Sequence, residues 1–236
     1  MSQLDALIVA HGQPSAQDAA EGALASFLAE IEPHAPSCSL GAATLAAPGK
    51  LEHQLERLRP GGLIYPLFMS EGWFVKSNLA KRLGAAPVQV MTPFGMDDAL
   101  ISLTAKALQA TAGFGKGPLL LVAHGSASGR KAPAQVPLDF GKRLSDALEG
   151  YPVHVGFIEQ EPLISDVARM VPDAGLCLPF FAMEGDHVQS DVRDALKGAG
   201  FVGEILPAIS RLPGMSQRIA ESIQAELGNN SQVSAA

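Results

Sequence analysis

The chain has 236 residues, and 17 Lys plus Arg against 24 Asp plus Glu leave a formal charge of −7 at pH 7. That acidic balance argues against a nucleic-acid binder, which needs a basic face to neutralise phosphates. With 47% apolar and 17% charged residues the chain is too apolar to be disordered and large enough to bury a core of its own.

The first residues, MSQLDALIVAHG, carry no basic flank, and their apolar run breaks at His11, unlike a signal peptide. The run over 4–10 has the length and composition of a strand buried on both faces of a parallel sheet. Ser15 is the expected N-cap of a helix reaching residue 31, with Ala19, Ala23, Phe27 and Ile31 on one stripe. A strand over 39–45, a helix over 50–58 and a strand over 62–68 follow. A Glu-Gly loop then leads into a helix over 75–83, a strand over 88–91 and a helix over 97–111. The same order returns after GFGKG (113–117): strands over 119–123, 153–158, 175–181 and 202–206, and helices over 134–148, 163–170, 188–196 and 214–227. No apolar run approaches the roughly 18 residues of a membrane span, so a soluble cytoplasmic protein is expected.

The return is a sequence repeat. LIVAHG (7–12) recurs as LVAHGS (121–126), and PLFMSEGWFVKSNL (66–79) recurs as PFFAMEGDHVQSDV (179–192), both 113 residues later. ATLAAP (43–48) aligns with FIEQEP (157–162) at 114, a slip of one residue. A unit this long is a domain and not a solenoid repeat. The expected fold is therefore α/β, with two pseudo-symmetric lobes, each a four-stranded parallel sheet flanked by helices joined by right-handed crossovers. The expected boundaries are 1–112 and 118–227, with a disordered tail over 228–236. Cys38 and Cys177, both in apolar stretches, are too few for a disulfide framework and read as reduced thiols.

Open parallel sheets bind ligands at the carboxyl ends of their strands. Three positions per half meet there: the His after the first strand, the end of the second strand, and the loop after the third. In the second half these are His124, Glu159 and His187; in the first, His11, Leu45 and Phe74. Two imidazoles and a carboxylate can hold a divalent first-row metal, and imidazole can also take protons near pH 7. The asymmetry indicates that the second copy kept its chemistry and the first lost it. Two other chemistries fit less well. A histidine phosphatase needs Arg before the His, where Ala10 and Ala123 stand. HGSASG lacks the spacing of a nucleophile elbow or a P-loop.

AHG after the first strand, FIEQEP and LPFFAMEGDHVQSDV together resemble the CbiX-type sirohydrochlorin chelatases, a branch of the class II chelatases. The resemblance spans about residues 4–227, and its specific part is His187 in its G-x-H-V context, 63 residues after His124. It implies a tetrapyrrole bound in a cleft between the lobes and no organic cofactor. The metal is a substrate, Co²⁺ by the closest pattern, with Fe²⁺ or Ni²⁺ also compatible. By the same resemblance His124 and His187 hold the metal with Glu159 beside them, as ligands and as the catalytic set. Substrate contacts are expected from His11, Trp73, Phe74 and Ser126, and from the cations Arg130, Lys131 and Lys76 toward the tetrapyrrole carboxylates. Glu71 and Glu184, present in both copies, are expected to fix their loops by accepting backbone N–H bonds. Two lobes in one chain make a monomer the default. The competing expectation is a two-lobed protein that binds metal or tetrapyrrole without turnover.

Overall fold

The structure is a computed structural model, and it describes residues 3–126, 132–171, 175–185 and 187–233. The side chains of 132, 133, 187–189 and 231–233 are not among those described.

Two four-stranded parallel sheets are present. The first contains β1 (Leu4–Ala10), β2 (Leu40–Thr44), β3 (Leu58–Leu67) and β4 (Gln89–Val90), in the order β2-β1-β3-β4. The second repeats it with β5 (Leu119–Ala123), β6 (Val153–Phe157), β7 (Leu176–Pro179) and β8 (Glu204–Ile205), ordered β6-β5-β7-β8. β1 and β5 take inner positions with a parallel neighbour on each side, and every residue of β5 is buried. Short Leu/Ile/Val runs suit that place, where both faces are covered.

The helices are α1 (Gln17–Ile31), α2 (Lys50–Leu55), α3 (Ala80–Leu83), α4 (Ala99–Gln109), α5 (Ala132–Ala147), α6 (Ile164–Met170), α7 (Arg193–Gly198) and α8 (Met215–Val233). Two π-helical turns, Phe74–Leu79 and His187–Val192, run directly into α3 and α7 at matched places in the two copies. None of the described helices is long and apolar enough to cross a membrane.

The elements follow the expected order, with local corrections. Ser15 does not cap α1: the helix begins after Ala16 without a side-chain cap, and the Ser15 hydroxyl accepts from Gln13 Nε2 at 3.1 Å. β3 starts at Leu58 because that residue pairs with Leu4, which shortens α2 to Leu55. The fourth strands are two residues each. Of the expected disordered tail over 228–236, residues 228–233 belong to α8, and 234–236 lie outside the described residues. α8 continues to Val233, and its Glu226 and Asn230 hydrogen-bond the Gln89 side chain, Asn230 at 2.8 Å.

The chain divides into two compact units, but not at the expected places. The first is Met1–Asp97 with Gly214–Ala236, and the second is Asp98–Pro213. The last helix of each repeat has thus changed units. In the first, α8 packs on α1 and β3, with Met215, Ile219, Ala220 and Ile223 fully buried. Arg218 of α8 grips Asp97 through Nε at 2.7 Å and a second nitrogen at 3.1 Å. In the second, α4 packs on α5, and Arg143 donates to Asp98 at 2.7 Å. Leu4, Leu7, Val9, Leu51, Ile64 and Leu79 build one core, and Leu120, Val122, Ile164, Val167 and Leu196 build the other.

Candidate metal site of the second unit

At the carboxyl edge of the second sheet the β5–β6 ladder runs one step past the strands. The Ile158 N–H donates to Ala123 O at 3.1 Å, and the Glu159 N–H donates to His124 O at 3.0 Å. This bond makes His124 and Glu159 immediate neighbours and sets their side chains together. His124 Nδ1 lies 3.4 Å from Glu159 Oε2, with the two side chains 39% and 41% exposed.

That separation is long for an ordinary hydrogen bond. It suits two donors sharing a metal: with metal–donor distances of ~2.1 Å, adjacent ligand atoms stand about 3.0–3.4 Å apart, the wider figure at a tetrahedral angle. The pair is open to solvent, so an ion can reach it.

The chain turns sharply after His124 through Gly125, at φ +77°. A Cβ on Gly125 would lie 2.6 Å from Gln160 Cγ. The Gln160 side chain fills that space and accepts the Ser126 N–H through Oε1 at 2.9 Å. Gln160 therefore braces the turn that carries His124. The sequence reading passed it over, although it lies inside the FIEQEP motif.

His187 opens the π-helical turn after β7, which puts its backbone in the loop region following the third strand of the sheet. Its side chain lies outside the described residues, as do Arg130 and Lys131 altogether. No three His, Cys, Asp or Glu side chains gather into a metal-holding group among the described residues, a search that leaves out His187. Glu184 behaves as expected, accepting the Ala208 N–H at 3.1 Å.

The first unit shows what the second copy retained. Its ladder also runs on, with Leu45 N–H to Ala10 O and Ala46 N–H to His11 O, both at 2.9 Å. Ala10 pairs with Thr44 as Ala123 pairs with Phe157. The residue matched to Glu159 is therefore Ala46, and the repeat holds one offset of 113 through this strand; the one-residue slip and the pairing with Leu45 are corrected. Leu45 packs against the core of its unit.

His11 Nδ1 lies 2.6 Å from Gly12 O, so this nitrogen carries the proton. The His11 ring sits 4.0 Å from Phe74 at 89°. Phe74 also meets Trp73 at 5.2 Å and 78°. Glu71, unlike Glu184, pairs with a side chain, Lys76 Nζ at 3.1 Å, and both members are exposed. His11, Trp73 and Phe74 thus come together in the first unit, where Lys76 is held by Glu71, as His124 and Glu159 come together in the second, where the Ser126 N–H is held by Gln160.

The fold is a doubled parallel α/β unit of four strands per copy, and one copy carries an imidazole and a carboxylate side by side at its strand ends. Solved structures agree. A CbiX described as the terminal enzyme for biosynthesis of sirohaem in denitrifying bacteria is 38% identical, covering 94% of this chain and 98% of its own, with a TM-score of 0.81. SirB from Bacillus subtilis, solved with Fe³⁺, shares the fold at 15% identity over 98% of both chains, TM-score 0.70. So does part of a Deinococcus radiodurans multi-domain protein noted for its similarity to chelatases, at 17% identity over 95% of this chain and 55% of that one, TM-score 0.65. A comparison with curated proteins finds no match. The CbiX family model matches residues 118–235. The chain belongs to the CbiX family, and it is a metal chelatase.

Proposed function

We propose that the protein is a sirohydrochlorin chelatase that inserts Fe²⁺ into the tetrapyrrole in sirohaem biosynthesis, with its working site in the second unit. The observation that carries this reading is the His124–Glu159 pair, 3.4 Å apart at the strand ends of the half that matches the family. The resemblance in the sequence leans to cobalt. The 38%-identical relative, described as the terminal enzyme for biosynthesis of sirohaem, supports iron, the metal of sirohaem, as first choice and leaves cobalt second. The donor set itself does not choose, because imidazole and carboxylate accept Fe²⁺, Co²⁺ and Ni²⁺ alike.

Insertion replaces two pyrrole N–H protons with one divalent ion. His124 and Glu159 hold the entering metal in this reading, with His187 as the third ligand. As the ion passes to the ring, the donors it leaves regain their lone pairs beside the departing protons, so the same groups serve first as ligands and then as bases. The protein works as a cytoplasmic monomer in this proposal, and Ser126, Arg130 and Lys131, which follow His124 in the sequence, contact the substrate.

The test is an insertion assay with metal-free sirohydrochlorin and Fe²⁺ or Co²⁺ under anaerobic conditions, read from the absorbance change against a no-enzyme control. Many turnovers per protein, lost in the His124→Ala, His187→Ala double variant, are expected. Uptake that stops at one equivalent would make the protein a carrier. Rates equal to the control would refute the reading.

A further inference from the structure

The loop after β6 clasps the turn after β5 at two points. The Glu159 N–H donates to His124 O at 3.0 Å, and the Ser126 N–H donates to Gln160 Oε1 at 2.9 Å. The peptide between Gly125 and Ser126 is planar and trans, so its C=O points opposite to its N–H. By holding that N–H, Gln160 also sets where the Gly125 carbonyl points. Its side chain fills the space beside the turn as well, since a Cβ on Gly125 would lie 2.6 Å from Gln160 Cγ.

The first copy shows the same turn without that residue. Gly12 has the same left-handed backbone, φ +73° against +77° at Gly125. The ladder is intact there too, with the Ala46 N–H on His11 O at 2.9 Å. The offset of 113 matches Gln160 to Ala47, which is buried and has no side-chain acceptor. In that copy the glycine carbonyl meets the imidazole, and His11 Nδ1 donates to Gly12 O at 2.6 Å. In the second copy the matched nitrogen, His124 Nδ1, faces Glu159 Oε2 at 3.4 Å. A ring nitrogen that carries a proton into its own loop has no lone pair for a metal.

We infer that Gln160 is a positioning residue for the metal site. By clamping the Gly125–Ser126 peptide it keeps the Gly125 carbonyl from capturing His124 as Gly12 captures His11, and the Nδ1 edge stays turned to Glu159. The role rests on the reading of His124 and Glu159 as metal ligands. Outer partners that orient a metal-binding imidazole carry roughly 10–100-fold of metal affinity or activity, so the effect is large enough to measure.

The test is Co²⁺ titration by calorimetry, beside the insertion assay with metal-free sirohydrochlorin. Gln160→Ala should raise the Co²⁺ Kd and lower kcat by about tenfold each, with little change in KM for the tetrapyrrole. Gln160→Met fills the space beside Gly125 but offers no oxygen to the Ser126 N–H, and it should behave like Gln160→Ala. Gln160→Glu keeps the length and the acceptor, and it should recover most of the affinity and the rate. Wild-type Kd and kcat in Gln160→Ala or in Gln160→Met would overturn the inference while leaving chelation standing. Co²⁺ binding that weakens in both variants, in a protein that never inserts a metal, would uphold the positioning role and refute the chelatase reading. A wild-type protein without Co²⁺ affinity would overturn the role.

Discussion

His124 Nδ1 and Glu159 Oε2 stand 3.4 Å apart because the Glu159 N–H is bonded to the His124 carbonyl, extending the β5–β6 ladder by one residue. The site geometry is therefore a consequence of strand register. Any change that shifts β6 against β5 by a residue would turn Glu159 to the other side of the sheet.

Glu159→Gln keeps the volume of the side chain and removes its charge. We expect kcat for insertion to fall by roughly 10²-fold or more, with a smaller change in KM for the tetrapyrrole. Co²⁺ affinity, read by calorimetry, should weaken at least tenfold. Unchanged Co²⁺ binding would remove Glu159 from the ligand set.

The register also predicts how a metal site could be restored in the first unit. Ala46→Glu with Phe74→His puts a carboxylate and an imidazole at the places of Glu159 and His187, beside His11. Co²⁺ stoichiometry should rise by one, at weaker affinity, since His11 Nδ1 is already committed to Gly12 O. Leu45→Glu with Phe74→His should not bind the extra ion and should lower Tm, because Leu45 packs on the core and a carboxylate there costs about 1–3 kcal/mol. The reverse outcome would return the alignment to Leu45.

Much of this was legible in the residues themselves. β5 is an unbroken apolar run and β1 is one but for Asp5, because central parallel strands are buried on both faces, and His-Gly repeated 113 residues apart exposes the duplication. The unit to which a helix belongs was not legible. The stripe of Met215, Ile219 and Ile223 says that α8 buries a face, and nothing in a stripe says which sheet receives it. The FIEQEP register failed for a similar reason: Leu45 and Ala46 are both apolar, so only the hydrogen-bond ladder distinguishes them. Gln160 acts through a backbone N–H and through the space beside Gly125, neither of which composition reveals.

The two thiols should differ sharply in reactivity. Cys177 lies fully buried in β7, and burial pushes its thiol well above the usual range, so it stays protonated and shielded. Cys38 is partly exposed. An aromatic disulfide reagent at pH 8 should label one thiol per native chain quickly and two only in denaturant. Two fast equivalents in native protein would mean that β7 opens readily.

The Glu52–Arg82 pair predicts a pH dependence of stability. Arg82 Nε and a terminal nitrogen reach the two Glu52 oxygens at 2.8 and 2.7 Å, while its other nitrogen donates to Leu45 O at 2.7 Å. The Arg82 hydrogen bonds hold the Glu52 carboxyl below its ordinary range, against a smaller opposing effect of burial. A depressed carboxyl pKa stabilises the fold at pH values above the unfolded pKa, near 4.3, and that contribution disappears as pH falls through the folded pKa. Because Glu52 is half exposed and screened by solvent, the contribution at pH 7 should be about 0.5–1 kcal/mol. Glu52→Gln should therefore lower Tm by roughly 1–4 °C at pH 7 and converge with wild type as the pH falls through the folded Glu52 pKa. Arg82→Ala should cost more, because it also removes the donor to Leu45 O at the end of β2. A difference between Glu52→Gln and wild type that stayed unchanged in acid, where the carboxyl is protonated in both states, would assign the effect to packing instead of charge.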